Sequence, residues 1–345
     1  MNAFSSYTVK HIREGLTLFS DVVLTLALLP LVLSAALDSA TSRAYVDGAE
    51  AKVIYRVVDD AGVPVTNALA HIWFRSYERK EDDVHLTAMT DVDGRFVARH
   101  RTNEQLSCTI NKEGYYQSSD RINYPKENRF VKDGKWQPYG EARVVVLKRI
   151  KSPIEMLHRD GLVDMKIPAY GQWLGFDFER YSFVPPFGEG IHSDVLLRFS
   201  KNGIPGKGYA MHMEVSFTNN PFAGAYKLKS DSFSLMRSAY QADEKKAYEK
   251  SFSYSYERLQ GKRPVFDELG GDEYLVFRTR TRVDDKGQLV SALYGKIYGR
   301  WHFVGPRGMS ISHLFLNIVP NDTNIEDKDT ANHAAKLYMN AIKSK

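Results

Sequence analysis

The chain has 345 residues, 43% of them hydrophobic and 26% charged, with 20 tyrosines and 18 phenylalanines. That composition excludes a disordered or fibrous protein and fits about two packed domains. The formal net charge of +5 is dispersed among mixed acids and bases, as in Arg75–Asp83, so no linear basic stripe marks a nucleic-acid binder.

Lys10, His11 and Arg13 precede an apolar run, VVLTLALLPLVLSAA, at residues 22–36. The run has the length of a signal-peptide core and is short for a membrane span. Ser34 and Ala36 suit the −3 and −1 cleavage positions, and Ser42 and Ala44 offer a later pair. The predicted leader is residues 1–36, with 44 as the later limit; an uncleaved anchor or a buried helix is the alternative. Glu14 and Asp21 are unusual ahead of such a core, and no cysteine follows it, which argues against a lipoprotein. The chain is expected to be exported, periplasmic or extracellular, with no stable membrane span after leader removal. Its one cysteine, Cys108, excludes an intramolecular disulfide. Lying in the alternating run LSCTI, it reads as a small core residue, since a catalytic thiol needs an activating base.

Residues 51–58, 63–76, 85–90, 95–100 and 106–116 predict short strands punctuated by DDAG, DVDG and Glu-Gly turns, the rhythm of a β-sandwich. In TDVDGRF, Asp91 and Asp93 also invite a calcium reading. A calcium-binding EF-hand loop places glycine sixth and glutamate twelfth; counted from Asp91, Gly94 is fourth and Thr102 twelfth. The stretch therefore predicts a tight turn with Phe96 returning to the core.

These residues carry a resemblance. Gly62-Val63-Pro64-Val65, Asn67-Ala68, Thr90, Asp91, Asp93-Gly94-Arg95-Phe96 and Gly114-Tyr115 resemble the carboxypeptidase regulatory-like domain, over residues 50–118. The resemblance implies a small transthyretin-like or Ig-like β-sandwich, found in exported bacterial proteins and beside metallocarboxypeptidases. Two departures stand out: TNEQ replaces the usual glycine turn before the Cys108 strand, and the 76–85 loop is long and charged.

Residues 117–142 are polar and rich in turn formers, and 143–150 (RVVVLKRI) predict the strand closing a first domain, 45–150, with Pro153 near the boundary. In the second domain, 151–345, strands are expected at 172–178, 193–200, 208–217, 273–283, 288–304 and 310–319, with DDKG (284–287) as a hairpin turn. The stretch 231–262 suggests loops and a short helix. Residues 329–343 predict a helix capped by Asp329 or Thr330, with Ala334, Ala335, Leu337, Tyr338 and Ile342 as its apolar face. The expected class is thus mostly β: a sandwich, then a larger antiparallel β domain ending in a short helix. FRTRT, SALYGKIYG and LNIVPNDTNIE in this region resemble uncharacterised exported bacterial proteins that carry the same small sandwich.

No G-x-S-x-G elbow, H-E-x-x-H pair or phosphate loop occurs. The one His-x-x-Glu, from His11 to Glu14, lies in the leader, so the resemblance implies an accessory domain without its peptidase. His212 and Glu214 share a strand face as a metal or acid–base pair, or as a solvent face. Asp177, Glu179, Asp194 and Glu214 could serve glycoside hydrolysis, which needs two carboxylates; Asp194 and Glu214 are the catalytic candidates. In YSFVPPFGEGIHSD (181–194), Tyr181, Phe183 and Phe187 form either an aromatic platform for a sugar or a loop packed on the core, with His192 near its end. Asp322, Asn324 and Glu326 alternate in NDTNIED as an irregular calcium site or a capped loop. No cofactor and no nucleic acid are expected. The leading expectation is a non-catalytic binding or envelope-associated protein, with a polysaccharide or an envelope protein as partner. The alternatives are a glycan hydrolase using second-domain carboxylates and a purely structural module.

Overall fold

The computed structural model describes residues 40–76, 83–160, 165–204, 207–229, 233–267, 272–299, 301–304 and 307–343, so the predicted leader, 1–36, lies outside the described residues. The chain divides into two compact units. One holds the described residues up to Ile110 together with Ser119–Val145; the other holds Asn111–Ser118 and the chain from Val146 onward.

The first unit opens with a helix at residues 40–47, α1. Nine strands follow: β1 Ala49–Asp59, β2 Leu69–Arg75, β3 Val84–Met89, β4 Arg95–Thr102, β5 Gln105–Asn111, β6 Ser118–Asn123, β7 Val131–Lys132, β8 Lys135–Trp136 and β9 Glu141–Leu147. One sheet runs β4-β1-β8-β7, with β9 also on β1; another runs β6-β5-β2-β3. Alternation decides which side chains turn inward. Val53, Tyr55, Val57, Phe96 and Ala98 from the first sheet are buried, as are Ile72, Phe74, Leu106, Cys108 and Ile110 from the second. That is the predicted β-sandwich, with Cys108 a core residue. Inside it Asp120 takes a two-pronged ion pair from Arg143 at 2.6 and 2.7 Å and a hydrogen bond from the Tyr55 hydroxyl at 3.1 Å. Helix α1 is packed: Ala44 is buried, the Tyr45 ring stacks on Trp136, and Thr41 Oγ1 accepts the Val131 amide.

DVDG is one of three loops with a single hydrogen-bond pattern. In Asp59–Val63, Asp91–Arg95 and Asp284–Gln288, the aspartate Oδ1 accepts the amides two and four residues ahead. Its carbonyl accepts the amide of a glycine three residues on, and its own amide bonds the carbonyl four on. Those glycines have φ of +80°, +72° and +75°, a left-handed conformation glycine adopts without strain. The Asp91 carboxylate is thus a backbone acceptor. The loop does not join paired strands: β3 and β4 belong to different sheets, and it carries the chain between them. Glycine is doubly required there, because a Cβ on Gly94 would lie 2.3 Å from the Val57 carbonyl oxygen.

The second unit contains β10 Leu157–Arg159, β11 Met165–Lys166, β12 Trp173–Asp177, β13 Ser182–Phe183, β14 Val195–Ile204, β15 Gly208–Ser216, β16 Gly224–Lys229 and β17 Phe233–Ser234. It continues with β18 Ser251–Leu259, β19 Val265–Asp267, β20 Glu273–Val283, β21 Leu289–Tyr298, β22 Trp301–Val304, β23 Gly308–Ile311 and β24 Leu314–Asn317, and ends in α2, Lys328–Lys343. Its sheets run β13-β12-β14-β15-β18-β19, β10-β24-β21-β20-β16 and β11-β23-β22. Phe176, Leu197, Phe199, Met211 and Met213 from the first share a core with Leu275, Phe277, Ile297 and Leu316 from the second. The opposite face of the β20–β21 sheet is also covered: Tyr226, Tyr274, Val276, Tyr294 and Phe315 pack with Met156, Ala242 and Ile325. Burial on both faces explains why these strands read as near-continuous apolar runs.

Four expectations are corrected. Residues 288–304 are two strands, β21 and β22, parted at Gly299 (φ +79°), because they join different sheets. Residues 310–319 likewise break at His313 (φ 37°) into β23 and β24. Among the described residues, 231–262 contain no helix but the strands β17 and β18. Helix α2 is capped by neither Asp329 nor Thr330: the Asp327 carboxylate accepts the Thr330 amide and hydroxyl, both at 2.7 Å. The earlier cap puts Ala331 and Ala334 in the buried face and leaves Ala335 and Ile342 exposed.

Candidate functional site around Arg280

Strand β12 ends at Asp177, whose side chain is buried among donors. Oδ1 accepts the amides of Glu179 and Arg180; Oδ2 accepts those of Ile191 and His192, at 2.7 and 2.8 Å. One carboxylate therefore clasps both ends of the 178–192 loop. Asp194, also fully buried, accepts the Phe178 amide and the Thr279 hydroxyl. Between these acids lies Arg280. It donates to Asp194 through Nε (2.9 Å) and Nη2 (3.1 Å), to Glu179 through Nη1 (2.6 Å) and to Asp177 through Nη2 (3.2 Å).

Burial works against the charge of Arg280, but Asp194, Glu179 and Asp177 outweigh it and hold the guanidinium above the ordinary arginine range. Burial also pushes the Asp177 carboxyl up; the amides of His192, Arg180 and Ile191, and the charge of Arg280, outweigh that and keep it below its usual value. A depressed folded pKa gives stability that is present above the unfolded value of about 3.9 and lost as pH falls through the folded one. Asp177→Asn is therefore expected to destabilise at pH 7 and to lose that effect as pH falls below the unfolded value and through the folded one, measured as urea unfolding at several pH values. A pH-independent deficit would mean the carboxylate's charge does not matter.

Arg280 also carries the strand's irregularity. It has φ +49°, and the β20–β21 register slips between Thr279 and Arg282. A non-glycine residue in this region is strained and persists only where its surroundings impose it; here three carboxylates do. Bulges re-aim neighbouring side chains, and this one sits under an open cavity of about 430 Å³. Its polar lining includes His192, Ser193, Asn220, Arg282 and Ser291, and its apolar wall Leu293, Ile318 and Pro320. Among the described residues no carboxylate lines it.

Of the residues singled out in the sequence, His192 lines the cavity and Asp194 lies beneath it as a partner of Arg280. Glu214 is elsewhere, on the outer face of the six-stranded sheet. Arg198 donates to it at 2.6 and 3.0 Å and lowers its pKa. Of the two readings of the 181–194 loop, the structure has the one packed on the core, which leaves Tyr181 and Phe183 unavailable as a platform. Phe183 is 5% exposed and packs edge-to-face on Phe176. Tyr181 is half-buried, with its hydroxyl bonded to the Ile311 backbone. Only Phe187 of the three is exposed, at 39%. The calcium candidates are likewise occupied. Asp322 accepts the Asn324 amide, Asn324 accepts the Glu326 amide, and Glu326 is buried on donors of its own. Among the described residues no cluster of three or more His, Cys, Asp or Glu could hold a metal. Arg280, Arg282 and Ser291 were not anticipated. The signal was the series Arg278, Arg280 and Arg282, alternating with threonines at the end of an apolar run.

No protein family matches the sequence, and no curated protein does. Solved structures resemble parts of it faintly. A 3-chlorocatechol 1,2-dioxygenase from Rhodococcus opacus is 15% identical over 30% of this chain and 61% of its own, with a TM-score of 0.24. A hydroxyquinol 1,2-dioxygenase from Pseudomonas putida is 17% identical over 30% and 57%, at 0.23, and a streptococcal ancillary pilin 11% identical over 66% and 60%, at 0.20. The chain thus spans under two thirds of each, and such scores carry no argument about activity. Among the described residues no helix is long and apolar enough to cross a membrane.

Proposed function

We propose that the chain is an exported, non-catalytic binding protein of the cell envelope, and that the cavity above Arg280 takes a carbohydrate. The observation that carries this reading is the cavity's lining: hydrogen-bonding groups and one apolar wall, with no carboxylate among them. A sugar ring presents hydroxyls at its rim and C–H groups on its face, which suits a few placed polar groups beside an apolar surface. Glycoside hydrolysis needs instead a carboxylic acid with a raised pKa facing a second carboxylate. Here Asp177 and Glu214 are both shifted down, and Asp194 has donors on both oxygens. All three acids hold the scaffold, and the downward shifts of Asp177 and Glu214 make those two poor proton donors. The sandwich of the first unit and its Asp-x-x-Gly loops support a carboxypeptidase regulatory-like accessory role beside this site.

Arg282→Ala is expected to weaken binding of the best ligand on a glycan array roughly tenfold, the scale of one charged hydrogen bond, with thermal stability unchanged. Release of reducing ends from that ligand by the wild-type chain would overturn the binding reading in favour of a hydrolase.

A further inference from the structure

A second cavity, of about 580 Å³, opens at one end of the six-stranded sheet, where the β14–β15 and β18–β19 connections come together. The β15 and β18 ladder continues one pair beyond the apolar core. Met211 and Tyr256 are paired and buried, and Tyr209 and Arg258 are the next inward-facing pair. Lys207 and Lys262 stand on either side of them in the cavity wall. Lys201 adds its ammonium 5.6 Å above the Tyr209 ring, and Arg263 is exposed in the same turn as Lys262. Three cations, Lys207, Arg258 and Lys262, thus line the cavity, with Lys201 and Arg263 close by, and no carboxylate is among its described lining residues. In a chain whose formal charge is only +5, that is a strong local concentration.

The backbone holding these cations is fixed. Gly208 has φ +132°, and a Cβ there would lie 1.9 Å from the Arg258 carbonyl oxygen, so only glycine lets the strands close. The Gln260 amide bonds the Lys207 carbonyl at 2.6 Å, and the Lys262 amide bonds the Leu259 carbonyl. Like charges gathered in one cavity wall repel one another, and a bound anion relieves that repulsion.

We propose that this cavity binds a multiply charged oxyanion, a phosphate or sulfate ester carried on a sugar or polyol. Arg258 offers a planar fork to such an anion and the lysines offer point charges. One observation narrows the class. The Tyr209 ring is covered by Lys201 on one side and by Tyr256, 5.7 Å away, on another, so that ring offers no open face to a nucleobase. On β19, Phe266 touches the Tyr256 ring and is 45% exposed, and Val265 is 63% exposed, so a lipid surface is the competing occupant that the vesicle arm of the test separates. The site is separate from the cavity over Arg280 and does not depend on its ligand.

The test is calorimetric titration of the full chain with myo-inositol hexakisphosphate at low ionic strength. One equivalent should bind, and Lys207→Gln/Lys262→Gln should weaken it by about tenfold or more. Lys245→Gln/Lys246→Gln, which removes the same charge from another exposed loop of this unit, should leave it within about twofold. All four lysines are exposed, so both variants are expected to keep the wild-type melting temperature. Equal weakening by the two variants would reduce the effect to general electrostatics and overturn the site. Flotation with phosphatidylglycerol vesicles, lost in Lys207→Gln/Lys262→Gln while the polyphosphate fails to bind, would overturn it in favour of a membrane surface.

Discussion

Arg280→Met is expected to destabilise the chain by about 3–5 kcal/mol, the scale for removing one partner from a buried ionic network. The residue joins Asp177, Asp194 and Glu179 through four hydrogen bonds, and two of those acids are fully buried. Without the guanidinium, the carboxylates repel one another with no cation between them. Two further losses accompany this. The positive φ at position 280 loses the contacts that impose it, and the 178–192 loop loses its tie to β20. Arg280→Lys should recover only part of the deficit, because one ammonium cannot reproduce a fork that reaches three acceptors. The pH response should flatten. Wild-type stability falls toward acid as Asp177, held below its usual value, protonates, whereas Arg280→Met should lose less, since protonation relieves the repulsion. Urea unfolding at pH 7 and at a pH below the unfolded carboxylate value of about 3.9 measures both effects. A deficit below about 1 kcal/mol at pH 7, typical of an exposed ion pair, would remove the network from its structural role.

Strand positions were legible because alternation is local. The run at 51–58 and the burial of Val53, Tyr55 and Val57 follow from neighbours two residues apart. The Asp-x-x-Gly loops were legible for the same reason, since each closes within five residues. What escaped depends on partners far along the chain. Arg280 meets Asp194 across 86 positions and Asp177 across 103, and nothing near Arg280 in sequence marks it as bulged. The breaks at Gly299 and His313 reflect a change of sheet, which local pattern does not encode. Phe183 illustrates the opposite failure. Its Pro- and Gly-rich surroundings suggest an exposed loop, yet Asp177 draws both loop ends inward and Phe176 receives the ring. His192 was found through the same loop, and its place at the cavity follows from the Asp177 clasp on its amide.

Glu326→Ala is expected to cost about 3 kcal/mol, from a buried phenol and two part-buried backbone donors left without their acceptor. Glu326 is 1% exposed; it accepts the Tyr116 hydroxyl at 3.0 Å and the amides of Lys151 and Ser152 at 2.8 and 2.7 Å. Burial, and then the charge of Glu326, push the Tyr116 phenol above its ordinary range, so the phenol remains a neutral donor. The alternation that suggested calcium has another use. Asn324 donates to the Ser152 carbonyl and Glu326 accepts the Ser152 amide, so the alternate side chains tie 322–327 to 151–152. Nearby, the buried Lys296 ammonium donates to the Ile325 carbonyl at 2.6 Å and lies 5.0 Å from the Tyr298 and Phe315 rings, holding the same segment from the other side. Glu326→Gln separates the readings. A glutamine must aim an NH2 group at donors that need an acceptor, so it should cost about 2 kcal/mol. Calcium should leave the melting temperature of wild type and variant unchanged. A calcium-dependent rise in wild type that disappears in Glu326→Gln would instead make this loop a metal site. The outcome turns on whether the Glu326 oxygens stay with Lys151, Ser152 and Tyr116 when a divalent cation is offered.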